Sequence, residues 1–140
     1  MQGLFFEDLS EGQSAEMTRV ATAAVIEAFA EISGDTNPLH LDESYARTTS
    51  FGQRIAHGML AGAYISAVLG TKLPGPGAVY LTQSLRFRRP VRLGDSVTAR
   101  VTVKALDAKH AHVTLKTVCE VGGKAVVDGE AVIAVPRRPA

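Results

Sequence analysis

Asp35-Thr36-Asn37-Pro38-Leu39-His40 places a carboxylate, an amide and an imidazole within six residues. Pro38 fixes its own φ and pushes Asn37 toward an extended conformation, so the spacing is stiff. Asp35 and His40 can therefore converge on one water, with Asn37 hydrogen-bonding to hold the geometry. Together they can take a proton from that water and deliver one elsewhere. The alternative is that Asp35 and Asn37 make only turn hydrogen bonds and His40 lies on the surface. A second candidate is His57-Gly58-Met59, which opens a helix. Helix starts carry unpaired N–H groups and a partial positive charge, suited to a developing oxyanion. A packing role for Gly58 is compatible with this. Ser66 lies two helical turns beyond Gly58, where it could reach a group in the site or bond back to its own helix.

Other reactive side chains are weaker candidates. Arg86, Arg88, Arg89 and Arg92 form a basic cluster that could neutralise the phosphates of a nucleotide-bearing ligand. A solvated sheet edge with positive gatekeepers explains them equally well. His110 and His112 would share one face of a strand, but no third ligand is indicated nearby, so no metal is expected. Cys119 fits an inward strand position as a small core hydrophobe. There is no GxSxG elbow, phosphate loop or dinucleotide fingerprint.

These residues need elements to position them. Glu16 to Ala21 reads as a short strand, and Thr22 as the N-cap of a helix running to about Ile32. Val25, Ile26, Phe29 and Ile32 give that helix one apolar face, and Gly34 suits a left-handed cap. Leu39 to Phe51 reads as loop with one helical turn around Ser44 to Arg47. Gly58 to Thr71 is a strong helix whose small residues Gly58, Gly62, Ser66 and Gly70 recur every four positions. That stripe would let the sheet sit close to it. The second half is strand: Leu81 to Phe87, an alternating run from Val97 to Lys104, Val113 to Val121, and about Ala125 to Val135. Gly122-Gly123 is a two-residue hairpin turn. An antiparallel sheet following a long central helix is an α+β layout.

The whole chain of 140 residues fits one domain with a core of its own. Hydrophobic residues at 46% and charged ones at 21% argue against disorder. A net charge of +1 gives no field for a nucleic-acid partner. The N-terminus lacks a basic and apolar leader, and the most apolar stretch, Gly58 to Leu69, is too short to cross a bilayer. With one cysteine and no intrachain disulfide, a reduced cytoplasmic setting is expected.

At this point a family resemblance is carried by particular residues. Ile32-Ser33-Gly34-Asp35-Thr36-Asn37-Pro38-Leu39-His40, followed by Ala46, resembles the signature of the MaoC-like (R)-specific enoyl-CoA hydratases. Phe6-Glu7-Asp8-Leu9 with Gly12-Gln13 is similar to that family's opening. Ile55-Ala56-His57-Gly58-Met59-Leu60 resembles its central-helix start, and Val79-Tyr80-Leu81 through Arg89-Pro90-Val91 its strand and turn. The resemblance covers nearly the whole chain and implies one hot-dog domain over residues 1–140, a long helix wrapped by an antiparallel sheet. It also implies a homodimer with sheets joined edge to edge, and an acyl-CoA thioester bound near the subunit interface. The implied reaction is reversible hydration of a trans-2-enoyl-CoA to an (R)-3-hydroxyacyl-CoA, with no separate cofactor. Carried onto this sequence, Asp35 and His40 are the catalytic pair and the Gly58 N–H holds the thioester oxygen. Asn37 and Ser66 are supporting residues. Arg86, Arg88 and Arg89 remain candidates for the CoA phosphates. Such chemistry is compatible with polyhydroxyalkanoate monomer supply, fatty-acid oxidation or a short-chain assimilation route.

Three rivals stand beside this reading. Hot-dog folds also host acyl-CoA thioesterases, and fold does not decide between them. A dehydratase acting on acyl carrier protein would run the same chemistry on another carrier. A non-catalytic acyl-CoA-binding subunit would bind ligand and show no rate.

Overall fold

The computed structural model describes residues 2–140. Its centre is α4 (Gly58–Thr71), with the bounds expected from its composition. Around it curls an antiparallel sheet of β1 (Ser14–Val20), β2 (Val79–Gln83), β3 (Arg86–Phe87), β4 (Ser96–Asp107), β5 (His112–Val121) and β6 (Lys124–Ala134). The strand order is β1-β4-β5-β6-β2, with β3 also pairing β6. This is the expected α+β, hot-dog arrangement. Period-two alternation drives it: Val97, Ala99, Val101 and Val103 on β4 and Val113, Leu115 and Cys119 on β5 all point into the core. They meet Leu60, Ala61, Ile65, Val68 and Leu69 of α4 in one hydrophobic cluster. Ile65 is fully buried, so truncating it to alanine costs about 2–5 kcal/mol.

Local signals formed as read. Thr22 Oγ1 accepts from Val25 N at 3.2 Å and caps α1 (Ala23–Ser33), which ends at Gly34 with φ +78. Only glycine takes that left-handed conformation without strain. The Gly122-Gly123 turn joins β5 to β6.

Other expectations are corrected. Strand β1 begins two residues early, at Ser14, because the whole run from Ser14 to Val20 finds partners on β4. Ile32, expected on the inner face of α1, is 82% exposed, because the buried face of that helix runs through Ile26 and Ala30. The 39–51 segment holds two short helices, α2 (Pro38–Leu41) and α3 (Glu43–Ala46). Asn37 Oδ1 caps the first at Leu39 N and Asp42 Oδ1 the second at Tyr45 N. The expected strand from Leu81 to Phe87 is broken at Ser84-Leu85. There Ser84 lies so close to Gly129 that a Cβ at Gly129 would sit 1.8 Å from the Ser84 carbonyl oxygen. Ser84 Oγ replaces a ladder partner by accepting from Glu130 N at 3.0 Å.

The aliphatic face of α4 packs on β4 and β5, while the small-residue stripe gives the expected close approach only at Gly58 and Gly62. These two lie under Phe87 of β3 and the neighbouring Leu85, where an added Cβ would come to 2.9 and 3.3 Å. Greasy side chains gain more by burial in the sheet's concavity than glycine can, so the stripe is left to the side where a groove opens.

Candidate active site

The loop after α1 is built from short side-chain bonds. Ser33 Oγ donates to the Phe29 carbonyl at 2.6 Å and accepts from Asp35 N at 3.1 Å. Asp35 Oδ1 accepts from Asn37 N at 3.2 Å, and Asn37 caps α2 as described. The turn bonds are therefore made, and they also aim the Asp35 carboxylate. His40 is not on the surface, being only 8% exposed. Its Nδ1 donates to the Ile55 carbonyl at 2.8 Å. A carbonyl oxygen only accepts, so this bond assigns the proton of the neutral ring to Nδ1 and the lone pair to Nε2. Arg54 Nε, bonded to the His40 carbonyl at 2.7 Å, ties the same turn down.

A third residue joins the pair. The buried ring of His57 lies with its centroid 4.0 Å from that of His40 and 4.9 Å from that of Phe29. Its Nε2 donates to the Asp35 carbonyl at 2.9 Å. Asp35, His40 and His57 each bring a side-chain N or O atom within 4.8 Å of the other two. Sequence reasoning passed over His57 except as the residue that opens the helix. The available signal was its position: it stands at the N-cap of α4 yet makes no side-chain cap bond, where Ser, Thr, Asp or Asn are usual.

The gap between the Asp35 carboxylate and His40 suits one water. A water about 2.8 Å from each of two groups spans roughly 4.6 Å between them. His57 Nε2 is committed to the Asp35 carbonyl and His40 Nδ1 to the Ile55 carbonyl, and the remaining His57 nitrogen, Nδ1, is buried, on a ring that lines a small cavity with Tyr64.

Beside the trio a cleft of about 370 Å³ is lined by His40, His57, Gly58, Phe87, Arg88, Arg89 and apolar neighbours. Gly58 enters it as the first residue of α4, where a helix leaves its N–H without an internal partner. Its missing side chain leaves room for the Phe87 ring. Ser66 stands apart from the trio, exposed on an adjoining groove of about 460 Å³ with Met59, Gly62, Tyr80, Leu81 and Gln83.

The arginines divide. Arg88 pairs with Asp128, Nε to Oδ2 at 2.9 Å, and Arg89 donates to the Ala125 carbonyl at 2.6 Å. Arg86 turns to the outer face of the sheet, into a hollow with Arg100, Lys116 and Glu130. Arg92 donates to the Phe51 carbonyl at 3.2 Å. His110 lies in the turn before β5 rather than on a strand face with His112. The reason is Asp107, whose carboxylate accepts from Lys109 N and takes His110 Nδ1 at 2.8 Å, closing the turn. Cys119 is fully buried, and that burial pushes its thiol up to about 12.

Comparison with known proteins gives a consistent set of relatives. The family described as MaoC like domain matches residues 7–131. The (R)-specific enoyl-CoA hydratase of Rhodospirillum rubrum is 55% identical over 134 residues, covering 96% of this chain and 93% of that one. The 3-hydroxybutyryl-CoA dehydratase of Methylorubrum extorquens is 48% identical, covering 96% and 86%. Among solved structures, the unliganded R-hydratase PhaJ1 from Pseudomonas aeruginosa superposes with a TM-score of 0.92 at 47% identity, covering 97% of this chain and 88% of that one.

Proposed function

The chain belongs to the MaoC-like domain family, and from that premise we propose how it works, as an (R)-specific enoyl-CoA hydratase. It adds water reversibly across a trans-2-enoyl-CoA to give the (R)-3-hydroxyacyl-CoA. The observation that carries the roles is the approach of Asp35 and His40 to within 4.8 Å, with His40 Nε2 left unprotonated by the Nδ1 bond to Ile55.

One water held between them donates one hydrogen to the Asp35 carboxylate and the other to His40 Nε2. As its oxygen bonds to C3 of the enoyl group, His40 takes a proton and the double-bond electrons move toward the thioester oxygen. The Gly58 N–H holds that oxygen while it is negative. In comparable sites one such donor is worth about 3–4 kcal/mol. The enolate then collapses and takes the proton from the imidazolium at C2. One hydrogen of the water ends on the new hydroxyl and one on C2, and both side chains return to their starting states. Asp35 stabilises the transient imidazolium through its charge. Asn37 keeps the carboxylate aimed. No metal or further cofactor enters this scheme.

The acyl chain runs from the cleft into the adjoining groove beside α4, where Ser66 borders it. Arg89, which lines the cleft, holds the CoA phosphates, with Arg88 beside it already neutralised by Asp128 and Arg86 turned to the outer face. A second copy of the chain covers the open edge of β2, where Val79, Tyr80 and Leu81 are exposed; proteins rarely leave such an edge bare. The lone buried Cys119 suits the reduced cytoplasm, and no described helix is long and apolar enough to cross a membrane.

The test is loss of enoyl-thioester absorbance with crotonyl-CoA, a thiol probe in parallel, and the product read by an (R)-specific dehydrogenase. Loss without thiol, giving the (R)-product, is expected. Thiol release would make the protein a thioesterase. Inactivity on CoA esters with turnover of enoyl-acyl carrier protein would make it a carrier-protein dehydratase, and binding without turnover a binding subunit.

A further inference from the structure

His57 has a second ring nitrogen that the mechanism does not use. Its Nε2 donates to the Asp35 carbonyl, so in the neutral ring Nδ1 is an acceptor. That Nδ1 is buried and has no partner among the described residues. One other buried side-chain oxygen is in the same condition, the hydroxyl of Tyr64. His57 and Tyr64 line the same small cavity of about 10 Å³, otherwise walled by apolar groups such as Leu60 and Val97. That is the scale of a single water, and a water is retained in such a space when polar partners face it. Tyr64 lies two turns beyond His57 on α4, and helical side chains lean toward the N-terminus, which brings its hydroxyl back along the helix. Burial pushes the Tyr64 phenol up, so it stays a donor.

We propose that Tyr64 is a positioning residue: through one buried water it donates to His57 Nδ1 and thereby locks His57 as the Nε2–H tautomer that holds the Asp35 loop. In the opposite tautomer the Nε2 lone pair would face the Asp35 carbonyl, the two acceptors would repel, and the carboxylate would leave its place opposite His40. The chain from Tyr64 through water and His57 to the Asp35 backbone thus ties the core of α4 to the reacting water. It rests on the proposed roles of Asp35 and His40 but is read independently of them.

The experiment uses protein with ¹⁵N-labelled histidine, whose long-range proton–nitrogen correlations report each ring's tautomer. His57 is expected as Nε2–H, with Nδ1 shifted by an accepted hydrogen bond. Tyr64→Phe removes the donor, and Val97→Ile fills the cavity from β4. Each is expected to move the Nδ1 resonance toward that of a free acceptor. Each should lower kcat on crotonyl-CoA about tenfold, with KM little changed, as a small misplacement of a catalytic group does. Should Tyr64→Phe fail to fold, Val97→Ile decides alone. An Nδ1–H tautomer in the unaltered protein, or an Nδ1 resonance unmoved in the folded variants, overturns the proposal. If the unaltered protein does not hydrate crotonyl-CoA, the hydratase reading fails instead, and the His57 resonances still decide the relay.

Discussion

Replacing Asp35 with asparagine removes one charge and almost nothing else. The side chain is exposed, and the amide oxygen can still accept from Asn37 N, so the loop bond at 3.2 Å survives. An exposed substitution of this kind changes stability by only about 0.5 kcal/mol either way. The kinetic cost follows from the distance to His40, which becomes an imidazolium when it takes the water's proton. The two groups lie within 4.8 Å, and opposite unit charges at that limit attract by roughly 3.5 kcal/mol at an effective dielectric constant near 20. Because Asp35 faces solvent, half that value is the prudent lower figure. At about 1.4 kcal/mol per decade, these bracket a fall in kcat of roughly 20-fold to 400-fold. The assay is initial-rate loss of enoyl-thioester absorbance over a range of crotonyl-CoA concentrations, on variant protein whose melting temperature and oligomeric state match the parent. KM should change far less than kcat, since the charge acts on the transition state. A folded Asp35→Asn variant that keeps kcat within about threefold of the parent would refute the charge-pair reasoning.

Three further outcomes are expected. His40→Gln keeps a side chain able to donate to the Ile55 carbonyl but has no basic nitrogen, so kcat should fall about 10²–10⁴-fold in steady-state kinetics. Gly58→Ala would bring its Cβ 2.9 Å from Phe87 Cε1; a lowered melting temperature is expected, recovered by the double change Gly58→Ala/Phe87→Ala, which tests whether the ring is the obstacle. Cys119, held up to about 12 by burial, should resist alkylation in the native protein, as mass spectrometry would show. The same burial favours the protonated thiol in the folded state. Above the unfolded thiol's ordinary range the unfolded chain therefore releases a proton that the native one keeps. Stability should fall by about 1.4 kcal/mol per pH unit, from near pH 9 toward 12. Denaturant titrations of the parent and Cys119→Ala should diverge over that window and run parallel below it.

The features read correctly from the chain alone share a physical cause: each is settled within one or two turns of backbone. Thr22 caps α1, Gly34 ends it, and α4 runs from Gly58 to Thr71 as its composition requires. Alternation along β4 and β5 set which residues point inward before any partner strand was known. Asp35 and His40 belong to this class too, since a proline-stiffened segment of six residues leaves them little choice but to approach. The motifs around them were enough to recognise the family.

What escaped sequence reasoning depends on groups far apart in the chain. The break at Ser84-Leu85 is imposed by Gly129 across the sheet. The stripe of small residues on α4 was visible, but not that Phe87 of β3 and Leu85 are the side chains that settle on it. Arg86 and Arg88 are two residues apart and both border the outer hollow, yet only Arg88, paired with Asp128, also lines the cleft. Above all, His57 reaches back 22 residues to the Asp35 carbonyl and packs its ring at a tilt against that of His40. The sequence by itself determined which reactive groups stand together, Asp35 and His40, because residue type and short-range stiffness are local properties. Only the tertiary structure decided which nitrogen of each histidine is free to act, because that depends on the carbonyl each ring meets once α1, α2 and α4 are packed together.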